Sequence, residues 1–192
     1  MYKKMAALGV ILLLVSGFSF AEKSKTTYAH IYNGAFVDLD GVSTLKRTEN
    51  EFGMEFNVRG LEPNHAYTVW VLAYNNPELC ADKCNCSAGD FANPDMELGM
   101  FWATGRVSDS YGQAEFLTRL TYGALPEGEG QVLAPNGAQR DAQVLLMLRD
   151  HGPANEDMGQ LDYQLSSHMG GCDVYGCNDF IFSGHSSPFC KN

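Results

Sequence analysis

Phe52-Gly53-Met54-Glu55-Phe56-Asn57-Val58 decides the fold. Phe52, Met54, Phe56 and Val58 fall on one side of an extended chain, with Glu51, Glu55, Asn57 and Arg59 on the other. A period of two is that of a strand with one buried and one wet face. Gly112 to Tyr122 repeats it, with Ala114, Phe116, Leu120 and Tyr122 opposite Glu115 and Arg119. Two runs, Ala66 to Tyr74 and Val144 to Leu148, are apolar on both faces and suit central strands covered on both sides. The second run, rich in Met and Leu, could also be helical, but at five residues it is short for a helix and reads better as a strand. Further strands are expected at Tyr28 to Val37, Val42 to Arg47, Leu98 to Val107 and Asp179 to Phe182, with a short helix near Asp157 to Ser166. Pro63 fixes φ in a tight connection from Gly60 to Asn64, Ser108 to Gly112 reads as a hairpin loop, and Leu125 to Gln139 is a long surface loop. About eight short strands with little helix predict an all-β, single antiparallel β-sandwich or barrel-like domain.

The N-terminus reads as a signal peptide. Lys3 and Lys4 precede an uncharged apolar run from Met5 to Phe18, and Ser19-Phe20-Ala21 places small residues where a signal peptidase reads them. The expected division is a leader over 1–21 and one domain over 22–192. The mature protein is then soluble, with no membrane segment, and periplasmic or secreted. The sequence carries 23 acidic against 13 basic residues, a net charge of −10, and loss of the leader's lysines makes it more acidic still. With no basic cluster to meet phosphates, nucleic acid is not an expected partner.

Cys80, Cys84, Cys86, Cys172, Cys177 and Cys190 all lie beyond the leader, and an even number in an exported protein predicts disulfides. Gly171 and Gly176 allow Cys172 and Cys177 to close a short loop. Cys84 and Cys86 are too close to pair without strain. Two arrangements stay open: Cys80 with Cys86 and Cys84 with Cys190, or Cys80 with Cys84 and Cys86 with Cys190.

The motifs Gly60-Leu61-Glu62-Pro63-Asn64-His65-Ala66-Tyr67-Thr68-Val69-Trp70, Asn75-Asn76-Pro77-Glu78-x-Cys80, Ala103-Thr104-Gly105, Leu148-Arg149-Asp150-His151-Gly152-Pro153-Ala154, Gln160-Leu161 and Gly171-Cys172, with Cys177 and Asp179, resemble a family of exported bacterial proteins. The resemblance implies a shared fold and export and brings no activity with it. In that family two cysteines fall in each Cys-bearing stretch, so Cys84 (or Cys86) and Cys190 look like an added pair, implying a third bridge. Gly60-Leu61-x-Pro63 followed by Cys80 also resembles the copper-zinc superoxide dismutase sandwich. The metal-binding His-x-His of that family is absent, because Thr68 and Trp70 stand there. This likeness implies a sandwich, not dismutase activity.

The histidines are His30, His65, His151, His168 and His185, and no two lie within four residues. A site must therefore assemble from separate strands. His151 follows a buried run and precedes Gly152-Pro153, a strand end where binding residues often lie. It is a candidate copper or zinc ligand with His65 or His185. It is equally a candidate binding residue beside Asn75 and Asn76, for a small molecule or a protein. The plainer readings are that His151 bonds loop carbonyls and that Asn75-Asn76-Pro77 is a turn. A strand-end histidine bears little packing, so His151→Ala is expected to leave folding nearly intact. Trp70 and Trp102 read as packing. Motifs for a nucleophile elbow, a zincin helix, a phosphate loop or a dinucleotide fold are absent. The leading expectation is a non-catalytic binding or structural module without a cofactor. The alternatives are a copper- or zinc-binding protein and a hydrolase with an unmarked site.

Overall fold

A computed structural model describes residues 24–33, 38–125 and 137–190. The expected leader, positions 34–37 of the first expected strand and most of the Leu125 to Gln139 loop lie outside the described residues. The strands are β1 (Lys25–Asn33), β2 (Asp38–Arg47), β3 (Glu51–Val58), β4 (His65–Tyr74), β5 (Gly99–Val107), β6 (Ala114–Thr121), β7 (Gln143–Pro153) and β8 (Asn178–His185). They form one antiparallel sheet in the order β5-β4-β7-β8-β1-β2-β3-β6. Its two edges, β5 and β6, pack against each other, so the sheet is nearly closed.

The hairpin expected at Ser108 to Gly112 is not one. β5 and β6 are consecutive, yet they stand at opposite ends of the sheet, and their loop spans the gap instead of folding back along a ladder. The loop is built around Asp109, whose carboxylate accepts the N–H groups of Tyr111 and Gln113. Sequence shows a turn there, but not which strands its arms will pair with.

The inner face is the core. Phe52, Met54, Phe56 and Val58 of β3 face Val69 and Val71 of β4 and Leu146 and Leu148 of β7, as their alternation requires. β4 is apolar on both sides because its outer face is covered too. Trp70, Leu72 and Tyr74 cluster with Met96 and Leu98 and with Met147 of the neighbouring β7, and helix α1 (Met158–Ser166) packs across β4 and β5. The Asp157 carboxylate caps that helix by accepting the Gln160 N–H. The helix lies so close to β5 that a Cβ on Gly105 would stand 2.0 Å from the Leu165 carbonyl oxygen, which also accepts the Trp102 Nε1–H at 2.9 Å.

The bridges join Cys80 to Cys86, Cys84 to Cys190, and Cys172 to Cys177. The alternative, Cys80 with Cys84 and Cys86 with Cys190, is excluded. Among the described residues no helix is long and apolar enough to cross a membrane.

One seam is weakly laddered. β1 meets β8 in register only at Tyr32–Phe182 and Asn33–Ile181. Beyond those pairs the His185 ring spans the seam from the inner face. Its Nδ1 meets Thr27 Oγ1 at 3.0 Å and its Nε2 meets Ser43 Oγ at 2.6 Å. Burial pulls the imidazole down to about 4, helped by the charge of Arg47. The native state thus takes up this proton only near pH 4, whereas an unfolded histidine takes it up near 6.5. The contribution of neutral His185 is complete above about pH 6.5 and is lost as pH falls toward 4.

Two outcomes follow from these contacts. Gly105→Ala forces a methyl group against the Leu165 backbone and should cost about 1–3 kcal/mol in denaturant unfolding; an unchanged midpoint would refute the close docking of α1. Stability should also decline from pH 6.5 to 4. His185→Gln should flatten that decline by on the order of 3 kcal/mol, and an unaltered pH slope in the variant would exclude His185 as its source.

Candidate functional site

The site grows from one buried hydroxyl. Thr68 lies on the covered outer face of β4 with no access to water, so its polar atom needs partners in the protein. The Trp70 Nε1–H donates to Thr68 Oγ1 at 2.8 Å, and Thr68 Oγ1 lies 2.7 Å from His151 Nε2. His151 Nδ1 is 2.6 Å from the Gly170 carbonyl oxygen. A carbonyl only accepts, so Nδ1 carries the proton, Nε2 is bare, and the Thr68 hydroxyl donates to it. The relay runs Trp70 to Thr68 to His151 to Gly170 with every member satisfied. Burial holds His151 down to about 4, against the opposing pull of the Gly170 carbonyl.

Gly170 and Gly171 let the connection after α1 lie flat on its neighbours. A Cβ on Gly170 would meet the Tyr163 carbonyl at 2.4 Å, and one on Gly171, at φ 78°, would meet the His151 carbonyl at 2.8 Å. Helix α2 (Cys172–Tyr175) follows, and the Cys172–Cys177 bridge closes it. Cys177 Sγ is 3.6 Å from His151 Nδ1, and Cys172 Sγ is 3.5 Å from Arg149 Nη2. Arg149 is fixed by its other nitrogens: Nε donates to the His168 carbonyl at 2.7 Å and Nη1 to the Asp179 carboxylate. The His168 ring stands edge-on to Trp70, 4.8 Å between centroids. His151, Cys172 and Cys177 each offer a donor atom, and the three atoms lie within 4.8 Å of one another. While the bridge is closed, its sulfurs are joined to each other.

Neither His65 nor His185, the histidines expected as alternative partners of His151, stands beside it. His151 is on the outer face of β7. His65 is at the rim, its Nδ1 3.1 Å from Asp150 Oδ1, with the Tyr67 hydroxyl on the same carboxylate. His185 is on the inner face opposite Val144, whereas Asp150 is opposite Tyr67 at the far end of β7. The strand separates the two ends by roughly 20 Å at about 3.3 Å per residue. The amides of the turn are also committed. Asn75 donates to the carbonyls of Glu97 and Gly137 and accepts the Gln139 N–H, and Asn76 donates to the Asp95 carbonyl. Both tie loops together.

The expectation that His151 bears little packing is also overturned. β7 runs past its apolar stretch to Pro153, so His151 lies within the strand, 0% exposed, with both nitrogens bonded. A hydrolase reading finds its best geometry in Ser43 and His185, yet these are 0% and 1% exposed, behind the sheet. Thr68, Arg149 and Asp179 were missed as site members. The signal for Thr68 was a hydroxyl inside a strand apolar on both faces, which has to be bonded to something nearby.

No family model matches the sequence, and no curated protein matches it. Solved structures similar to it include a point mutant of a SOD-like protein from Bacillus subtilis, 10% identical, covering 82% of this chain and 95% of that chain at a TM-score of 0.38. A double mutant of such a protein is 12% identical and covers 83% and 95%, also at 0.38. At these values the likeness does not extend to any site.

The relay predicts that His151→Ala strands the Thr68 hydroxyl and the Gly170 carbonyl beside a cavity and destabilises by about 2–4 kcal/mol. Urea unfolding measures it; a change under about 0.5 kcal/mol, the usual range for surface substitutions, would mean that the relay is not structural.

Proposed function

We propose that this is an exported protein, with residues 1–21 as leader and 22–192 as one domain, that binds a soft or borderline cation such as Cu+ or Zn2+ when the Cys172–Cys177 bridge is open. The observation that carries the reading is the convergence of His151 Nδ1 with the two sulfurs inside 4.8 Å. Imidazole and thiolate are the donors such cations prefer. Three protein ligands leave a position for water or an exchanging ligand. The bridge makes the site conditional: closed, it removes two of three ligands. Three disulfides in a chain with a leader-like N-terminus support export.

The residues around the cluster suit the change of state. For Nδ1 to bind a cation it must lose its proton, and the ring then carries its proton on Nε2. Thr68 Oγ1, with two lone pairs, then accepts from Nε2 as well as from Trp70, while the Gly170 carbonyl gives up its His151 donor, a cost that cation binding has to offset. The thiols also lose protons on binding, so affinity rises with pH.

The test is titration of the phosphine-reduced protein with Zn2+ against a chromogenic chelator, under argon. One equivalent should bind to the reduced protein and none at this cluster in the oxidised one. A Cys172→Ser/Cys177→Ser variant keeps the other four cysteines and should lose that equivalent. If it binds as much Zn2+ as the parent, the assignment fails.

A further inference from the structure

The three bridges are not equivalent. Cys84–Cys190 spans a sequence separation of 106, and Cys172–Cys177 only 5. A short closed loop restrains the unfolded chain least, so opening Cys172–Cys177 sacrifices the least stability. Cys80–Cys86 is also local, at a separation of 6, but Cys80 is buried in the outer core with its sulfur against Met96. Both sulfur-bearing residues of Cys172–Cys177 are partly exposed, so a reagent can reach them.

Charge separates them further. Arg149 Nη2 sits 3.5 Å from Cys172 Sγ, on a guanidinium side chain only 8% exposed and anchored by Asp179 and the His168 carbonyl. A disulfide sulfur is a weak acceptor, whereas a thiolate is a strong one. The Arg149 donor therefore stabilises Cys172 far more after the S–S bond breaks than before. A cation held beside a sulfur stabilises the negative charge that develops on it as the S–S bond breaks, and so makes it the better leaving group.

We infer that Cys172–Cys177 is a redox-active bridge, opened by an incoming dithiol with Cys172 as the leaving sulfur. A thiolate of the dithiol attacks Cys177 Sγ and forms a mixed disulfide. The S–S bond to Cys172 breaks, and its electron pair stays on Cys172 as a thiolate held by Arg149. The second thiol of the dithiol, once deprotonated, attacks the reagent sulfur of the mixed disulfide. Cys177 leaves with the electron pair and is protonated. The dithiol is oxidised to a disulfide and the bridge is reduced by two electrons to a Cys172 thiolate and a Cys177 thiol; of the two protons the dithiol gives up, one ends on Cys177 and the other passes to solvent. This step concerns the bridge of the proposed metal site and accounts for its opening, but it stands on different observations and needs no metal.

The experiment treats the oxidised protein with dithiothreitol under native conditions, with EDTA present. Samples are quenched in acid, alkylated and mapped by peptide mass spectrometry. Labelling of Cys172 and Cys177 should run at least about tenfold ahead of the other four cysteines, a factor worth about 1.4 kcal/mol in activation. Arg149→Gln should slow that opening about tenfold while Cys84–Cys190 opens at its parental rate, which also reports an intact fold. Asp179→Asn removes the carboxylate that neutralises the guanidinium and should speed opening. Equal rates at all three bridges would overturn the inference, as would two variants that leave the relative rate unchanged. Selective opening without Zn2+ uptake sinks the metal reading alone. Zn2+ uptake by fully reduced protein without selective opening sinks the exchange reading alone.

Discussion

The hydrogen-bond relay from Trp70 through Thr68 and His151 to the Gly170 carbonyl is the constraint on which the outer layer depends. β4 is covered on both faces, so water cannot satisfy a polar atom there, and each unpaired group would cost about 1–3 kcal/mol. The relay has only one consistent direction, because a carbonyl that cannot donate terminates it. It fixes the tautomer of His151 and with it the position of the segment after α1. The placement of Gly170 beside Tyr163, of the bridge beside His151, and of Arg149 beside Cys172 follows from that anchorage.

What could be read from the sequence was set by the hydrophobic pattern. The alternation of Phe52, Met54, Phe56 and Val58 placed these side chains on the inner face, and the doubly apolar run from Ala66 to Tyr74 marked the strand with two covered faces. Each expected strand has a counterpart, with shifted ends. β7 shows why ends are lost: its apolar stretch stops at Leu148, but the ladder continues to Pro153 because backbone pairing does not depend on side-chain polarity. That extension converts His151 from a rim residue into a buried one. Sheet order was equally hidden, since a turn such as Ser108 to Gly112 does not record whether its arms will pair or stand at opposite edges. Which of His65 and His185 would lie near His151 was hidden for the related reason that face and height along a strand depend on register.

The metal and exchange readings of the bridge are linked thermodynamically. A cation that binds only the open form stabilises it by mass action, and so makes the bridge easier to reduce. By the same linkage, a more reducing environment raises the apparent affinity for the cation. Arg149 acts on both, because the charge that steadies a departing thiolate also disfavours a cation next to it. Asp179, paired with Nη1 of the same guanidinium, tempers that repulsion.

The bridge between Cys84 and Cys190 has a consequence for how the molecule matures. Cys84 is flanked by Cys80 and Cys86, which have each other within a few residues, whereas its own partner lies 106 residues further along the sequence. A chain that emerges N-terminus first presents Cys84 long before Cys190 exists to receive it. During that interval Cys84 is an unpaired nucleophile beside a neighbouring disulfide, placed to attack it and shuffle the pairing. Correct oxidation is therefore a late event, completed only once β8 has docked and carried the tail back to the loop after β4. The tail works as a latch, and its closure records that the whole β-domain has been assembled.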